Sequence, residues 1–489
     1  MKRFLGWSSA LCLAVASLSA QETNQLEQLT HQLKQMQETF EQQQRAMRED
    51  FERLVREQQA QIDALKKQLE ARPTNTTPAE ASPSAAAVPP AAVAVSPPQP
   101  AWSPTQPLTL GRSGSAYMNV SFDALMDAGG STAKDPSAQL ELGDHDPLKN
   151  GFSLRNAEIA LDGAVDPYFK GFANIVFKLD QNNQTEVELE EAYLQSSSLP
   201  ANLQVKAGQF FANFGRQNAQ HPHQWAFVDA PIILTRAFGP DGLRNLGVQG
   251  SWLVPLPFFT ELSLGVFDGQ GSTAFGFRNP GEPDAQGVFR FHGRATLDRT
   301  LEGPGDLVFT PRIASSFELT DTQTLMMGAS AAFGPNDTGN DLRTEIYGAD
   351  LYWKWKPANA SAGFPFVSWQ TEALYDRFQA GADPLAPVPL PAETLDDWGF
   401  YSQVLWGFHP RWVAGLRGEY ANGNQGVYDP QDVFRGERVR VSPALTFYPT
   451  EFSKFRLQYN YDHGALFGDA QSVWLQKEFL LGAHGAHKF

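Results

Sequence analysis

The segment Lys454–Tyr461, KFRLQYNY, alternates without a break. Phe455, Leu457, Tyr459 and Tyr461 share one parity; Lys454, Arg456, Gln458 and Asn460 share the other. A strand sends successive side chains to opposite faces, so this one has an apolar face and a fully polar, partly charged face. A single such strand fits a soluble sandwich equally well. Here the pattern recurs about sixteen times from Ser115 to the end, with no amphipathic-helix stretch of comparable quality between. Alternating segments of roughly ten residues separated by turns predict a transmembrane β-barrel.

The expected strands are 115–126, 152–163, 169–180, 186–196, 202–211, 244–254, 259–267, 308–319, 323–333, 343–356, 366–378, 397–408, 411–420, 436–448, 453–463 and 471–481. The run 288–298 also alternates, but single-chain barrels of this kind use even strand numbers. The reading is therefore sixteen antiparallel strands, with eighteen as the fallback and 288–298 assigned to an outer hairpin or a broken strand. Connections alternate in length. Short ones are Val165-Asp166-Pro167, 198–201, 255–257, 320–322, His409-Pro410 and Pro449-Thr450; long ones are 127–151, 212–243, 268–307, 379–396 and 421–435. Short turns belong on the periplasmic side, which places both chain ends there. Aromatics near the short turns (Phe258, Phe259, Trp406, Phe408, Trp412, Tyr448 and Phe452) suit an interfacial girdle.

The rest of the chain divides unevenly. Residues 1–20 read as a secretory signal peptide: Lys2 and Arg3, an apolar run from Leu11 to Leu18, then small residues before Gln21. That run is too short to span a bilayer. The single cysteine, Cys12, lies inside it, so the processed chain has no thiol for disulfides, metal or nucleophilic chemistry. Losing Lys2 and Arg3 takes the net charge from −16 to −18, which argues against nucleic acid as a partner.

Residues 21–72 predict a coiled coil. Leu26, Leu29, Leu33, Met36 and Phe40 alternate steps of three and four, and the spacing later lengthens toward eleven (Phe51 to Ile62, Leu54 to Leu65). We expect it to self-associate, a trimer first, with a single exposed helix as the alternative. Residues 73–110, rich in Pro, Ala, Thr and Ser, predict a flexible linker, and 111–489 the barrel.

Several segments then carry a resemblance. Val205–Arg216 (VKAGQFFANFGR), Val187–Leu194 (VELEEAYL), Tyr448–Tyr459 (YPTEFSKFRLQY) and the tail Trp474–Phe489 are similar to the phosphate-selective porins of the O and P type. It covers most of residues 110–489, and its motifs are architectural. The resemblance implies a sixteen-stranded trimeric outer-membrane porin with an inward-folded third loop, without itself implying phosphate as cargo.

Two groups of residues are candidates for a pore constriction or solute-binding surface. The third loop, 212–243, carries Arg216, His221, His223 and Arg236 among apolar residues able to fill a lumen. An external lid or a trimer latch is its alternative role. On the barrel wall, strand parity turns Arg417, Arg438, Arg440 and Arg456 inward, opposed by Glu186, Glu188 and Glu190. Guanidinium groups suit phosphate or carboxylate, although arginine–glutamate pairs that simply fill the wall are the commoner case. His221-Pro222-His223 and His484 with His487 show fewer converging ligands than a metal site requires. They are expected to be exposed, with no metal or other cofactor.

Nucleotide-loop, zinc-protease and hydrolase motifs are absent, so an enzyme is not expected. The expected function is diffusion of small hydrophilic solutes, including anions such as phosphate, across an outer membrane. The alternatives are an envelope tether and a substrate-specific channel for metal chelates or siderophores. A helix of about fifty residues reaches roughly 75 Å toward peptidoglycan, which makes the tether sensible.

Overall fold

The computed structural model describes residues 108–482, apart from Ser198, Asp429 and Gln431. The signal peptide, the coiled coil, nearly all of the linker and the tail with His484 and His487 lie outside the described residues.

Alternation decides the architecture. Lys454, Arg456, Gln458 and Asn460 are buried, whereas Phe455, Leu457 and Tyr461 are exposed. A strand that hides its charges and shows its apolar residues fits neither a soluble sandwich nor an open sheet. Sixteen such strands close on themselves. They are β2 (Ala116–Ser131), β3 (Gly151–Ala164), β4 (Phe169–Leu179), β5 (Thr185–Ser196), β6 (Leu203–Phe211), β7 (Arg244–Leu253) and β8 (Phe259–Phe267), followed by nine more. The nine are β12 (Val308–Thr320), β13 (Gln323–Pro335), β14 (Arg343–Trp355), β15 (Phe366–Ala380), β16 (Glu393–His409), β17 (Trp412–Gly423), β18 (Arg438–Thr450), β19 (Ser453–Gly464) and β20 (Gly468–Leu481). Each pairs antiparallel with the next, β8 joins β12, and β20 returns to β2 with Phe122 opposite Leu481 and Ser131 opposite Ser472. No barrel strand lacks a neighbour, so no row of unpaired backbone groups is left.

The expected run at 288–298 is a broken strand. It forms β10 (Phe289–Phe291) and β11 (Arg294–Ala295), which with β9 (Glu282–Pro283) make a separate three-stranded sheet within the 268–307 connection. One strand was missed. Leu108–Ser113 (β1), partly assigned to the linker, turns through Gly114-Ser115 and pairs with β2 below the point where β20 stops. Its six residues, LTLGRS, are too few to show a period.

Two departures from strict alternation matter for the interior. β3 and β5 each carry a β-bulge: Leu125 and Met126 face Asn156 and Leu154, and Asn174 and Ile175 face Glu191 and Leu189. An extra residue in one strand turns two consecutive side chains to the same side. Arg155 with Asn156, and Glu190 with Glu191, are accordingly all buried.

Outside, large apolar residues such as Leu194, Leu264, Leu416, Leu457 and Leu475 form an exposed belt. At the short-turn end aromatic rings pair, Trp412 with Phe447 at 4.6 Å and Phe258 with Phe317 at 4.9 Å.

Candidate functional site

The 212–243 connection lies inside the barrel, and its own sequence explains why. Phe214, Ile232, Ile233 and Phe238 give it an apolar side, and the wall offers inward Ile346, Leu374, Tyr401 and Ala421 in the same cluster. The short helix Ile232–Phe238 rests against β15, β16 and β17. At Gly348 an added Cβ would stand 2.5 Å from the Phe214 ring, so the wall is hollowed there to admit it.

Polar contacts then tie the loop to the wall along its length. Near its start, the amides of Arg216 and Gln217 donate to Glu372 of β15 at 3.1 and 2.8 Å, and Gly215 N–H donates to Ser330 of β13. Further on, the arginines of the far wall take over. Arg456 donates to the carbonyls of Trp225 and Phe227 at 2.7 and 3.0 Å. Val228 N–H reaches Gln458 and Ile232 N–H reaches Glu419, both at 2.7 Å. The loop thus crosses the lumen from β13–β15 to β17–β19, in place of the external lid or latch.

Asp229 is the centre of the far contact. Arg417 donates to it, as do Arg440 at 3.3 Å, Gln458 at 2.7 Å and Asn460 at 2.6 Å. Burial opposes its charge, but Arg417 and Arg440 outweigh that and hold the carboxyl at about 2.

The wall arginines therefore meet as expected, but they are not open ligands. Arg417 pairs with Asp229 and Glu419; Arg440 with Asp462, Asp229 and Glu419; Arg438 with Asp462, at 2.7 Å, and the Leu140 carbonyl. All four, with Arg456, are at most 2 % exposed. A loop carboxylate already fills the place of a solute anion. Arg236 is likewise spent, gripping Glu141 at 2.9–3.0 Å and the Gly436 carbonyl. Arg216 differs: its guanidinium stacks on Tyr352 at 3.9 Å and meets Gln370, with no carboxylate among the described ion pairs. Glu188 pairs with Lys178 and Arg244, whereas Glu186 stays half-exposed.

The histidines overturn their expectation. His221 and His223 are 5 % and 1 % exposed, because the loop arm His221-Pro222-His223 docks on a floor of carboxylates. His221 Nδ1 lies 2.8 Å from Glu190 and 3.7 Å from Glu158, and its Nε2 lies 2.9 Å from Glu191. His223 Nδ1 lies 3.3 Å from Asp123 and 3.6 Å from Glu158. Burial disfavours charge on these rings. Glu190 and Glu158 nevertheless hold His221 well above the usual imidazole range, and Asp123 with Glu158 raises His223 to about 9. His145, from the 132–150 connection, joins at 3.3 Å from Glu190.

Sequence reasoning missed Asp123, Glu158 and Glu191 as parts of one site. Asp123 and Glu158 face one another only through a strand register that the chain does not record, and the bulge that turns Glu191 inward is marked only by the doubled glutamate in VELEEAYL. It gave Asp229, within the same loop, no role.

A closed, polar-lined, sixteen-stranded barrel with a loop inside is the architecture of membrane channel barrels. The crystal structure of the outer membrane channel DcaP of Acinetobacter baumannii is similar, with a TM-score of 0.50 and 13% identity, covering 76% of this chain and 99% of that one. At that identity the likeness shows the fold alone. No family model matches the chain. By sequence it belongs to the family of an uncharacterized protein of Aquifex aeolicus (strain VF5), 32% identical over 359 residues that cover 70% of this chain and 71% of its relative.

Proposed function

We propose that the chain is an outer-membrane channel through which small hydrophilic solutes diffuse, with the 212–243 loop as its constriction and a preference for anions. The observation that carries this is the inverted barrel: apolar residues outside, polar residues inside, and a loop docked across the lumen. The likeness to DcaP, a channel of the outer membrane, supports that location.

The anion preference rests on one of the loop residues first expected, Arg216, joined by Lys354, in place of the wall arginines. With Arg417, Arg438, Arg440 and Arg456 paired, we assign the preference to Arg216 and Lys354. Lys354 sits two residues beyond Tyr352 on the inward row of β14, and among the described ion pairs neither has a carboxylate partner. The resemblance to phosphate-selective porins makes phosphate the first anion to test. It also supports a homotrimer, which chemical crosslinking in detergent would read as a band of three chains, while the parity of short and long connections favours both chain ends in the periplasm.

Reversal potentials in asymmetric salt across a planar bilayer test the reading. The native channel is expected to favour chloride over potassium, and Arg216→Glu with Lys354→Glu to move the potential toward the cation side. An unchanged potential would remove the two residues from selectivity. A folded, inserted protein that passes no current would end the channel reading itself.

A further inference from the structure

The carboxylate floor beneath the histidine arm is more than an anchor for the loop. Asp123 on β2, Glu158 on β3, and Glu190 with Glu191 on β5 converge in a space that is at most 6 % exposed. Like charges this close are costly in a dry interior unless matched by cations. Among the described residues, the cations in ion-pair range of these four are His145, His221, His223 and, for Glu191 only, Lys206 at 3.6 Å.

The donor atoms are also arranged in two sets of three. One ligand atom each from His221, Glu158 and Glu190 lies within 4.8 Å of the others, and the same holds for His223, Asp123 and Glu158. Glu158 belongs to both sets. The two imidazole rings stack on each other, their centroids 5.7 Å apart and 17° between their planes.

A second observation points the same way. Asn156 and Asn174 are at most 1 % exposed and reach into the two sets through Nδ2. Asn156 donates to Asp123 and Glu158, at 3.0 and 2.8 Å, and Asn174 to Glu190 and Glu158, at 2.7 and 3.1 Å. Each leaves its buried carbonyl oxygen without a partner. Asn174 Nδ2 also lies 3.1 Å from His221 Nδ1, and turning either amide over would exchange the Nδ2 that reaches its set for the unpartnered oxygen, a further donor for a cation. Next to the floor, His145, Glu190, Pro222 and Trp225 border a cavity of about 50 Å³, room for a water or an incoming ion.

A third group, Asp144, Glu188 and Asp241, has comparable spacing. It differs in already holding the ammonium of Lys178 and the guanidiniums of Arg155 and Arg244. Fixed cations fill that group; in the histidine floor the positive partners are imidazoles, whose ring nitrogens are themselves metal ligands.

We propose that this floor is a carboxylate-bridged site for two divalent first-row transition ions, with zinc as the probe. One ion is held by His221, Glu158 and Glu190, and the other by His223, Asp123 and Glu158. Mixed imidazole and carboxylate ligands suit such ions. Loading would lock the loop arm to β2, β3 and β5. The floor shares no residue with Arg216 and Lys354, to which selectivity is assigned, so bound metal and reversal potential are separate readouts.

The test uses full-length protein in detergent, stripped with chelator, dialysed against zinc and assayed for bound metal per chain. Two ions are expected. His221→Asn and His223→Asn should each lose one, and Glu158→Gln should weaken both by more than the ~100-fold upper end of an outer-sphere change. Removing the tail imidazoles with His484→Asn and His487→Asn should leave both ions in place. Heat-modifiable gel migration reports that every variant is a folded barrel, and cobalt substitution reports directly on ligand loss through its absorption bands. No retained metal in the native protein, or stoichiometric metal that survives Glu158→Gln in a folded barrel, would overturn the site.

Discussion

Asp229 is where a single side chain holds the most. Its two oxygens accept from two guanidiniums and two amides of β17–β19, and nothing else joins the middle of the loop to that wall as densely. Removing one partner of a buried pair costs about 3–5 kcal/mol, because the other charge is left uncompensated. Asp229→Asn should therefore release the loop, seen as faster proteolytic cleavage within 212–243 and noisier single-channel current; a quiet, resistant variant would deny Asp229 this role. Acid should act on the same bond. Burial works against this carboxylate, but Arg417 and Arg440 depress it to about 2. Its contribution is thus complete above the ordinary aspartate range, near pH 4, and is lost as pH falls through about 2. Pepsin digestion between those limits should show cleavage in the loop rising as pH drops, with Arg417, Arg440, Asp127 and Asp146 the charges facing the group. Cleavage already complete at pH 4 would contradict the assignment.

At the scale of elements, the loop and its wall are matched in shape. Gly348 leaves the space that Phe214 fills, and Gly348→Ala would place a carbon 2.5 Å from that ring. Overpacking of this kind costs about 1–3 kcal/mol. The barrel should survive, since β14 keeps its full pairing with β13 and β15, while protection of 212–243 in hydrogen exchange should fall. Loss of protection in β14 itself would instead place the strain in the strand. The strands were legible from the chain alone, because each needs only its own alternation and a turn. KFRLQYNY shows its two faces without knowledge of any neighbour. The inward direction of Arg417, Arg438, Arg440 and Arg456 was legible for the same reason. Their partners were not, since Asp229 meets them only after the loop crosses the lumen, about two hundred residues away in sequence.

For the whole molecule, the belt and the interior obey opposite rules. An arginine on the outer face near mid-strand, as in Leu457→Arg, should cost about 2–4 kcal/mol in a bilayer. The expected outcome is poor insertion, read from heat-modifiable migration after refolding into vesicles. On the inner face of the same strand, Arg456 is accommodated by the Trp225 and Phe227 carbonyls and Gln476. If Leu457→Arg inserts as readily as the native chain, the belt is not in contact with lipid.

The chain by itself determined the alternation, hence the strand number, the closed barrel and which residues point inward. These follow from side-chain period and turn spacing, which are local. Only the tertiary structure decided what the inward residues meet. Two bulges turned Asn156 and Glu191 toward the lumen, and the docked loop gave the wall arginines a carboxylate of their own. It also buried two histidines that a local reading leaves in water. Such contacts depend on where distant strands fall around a ring, and no periodicity along the chain records that.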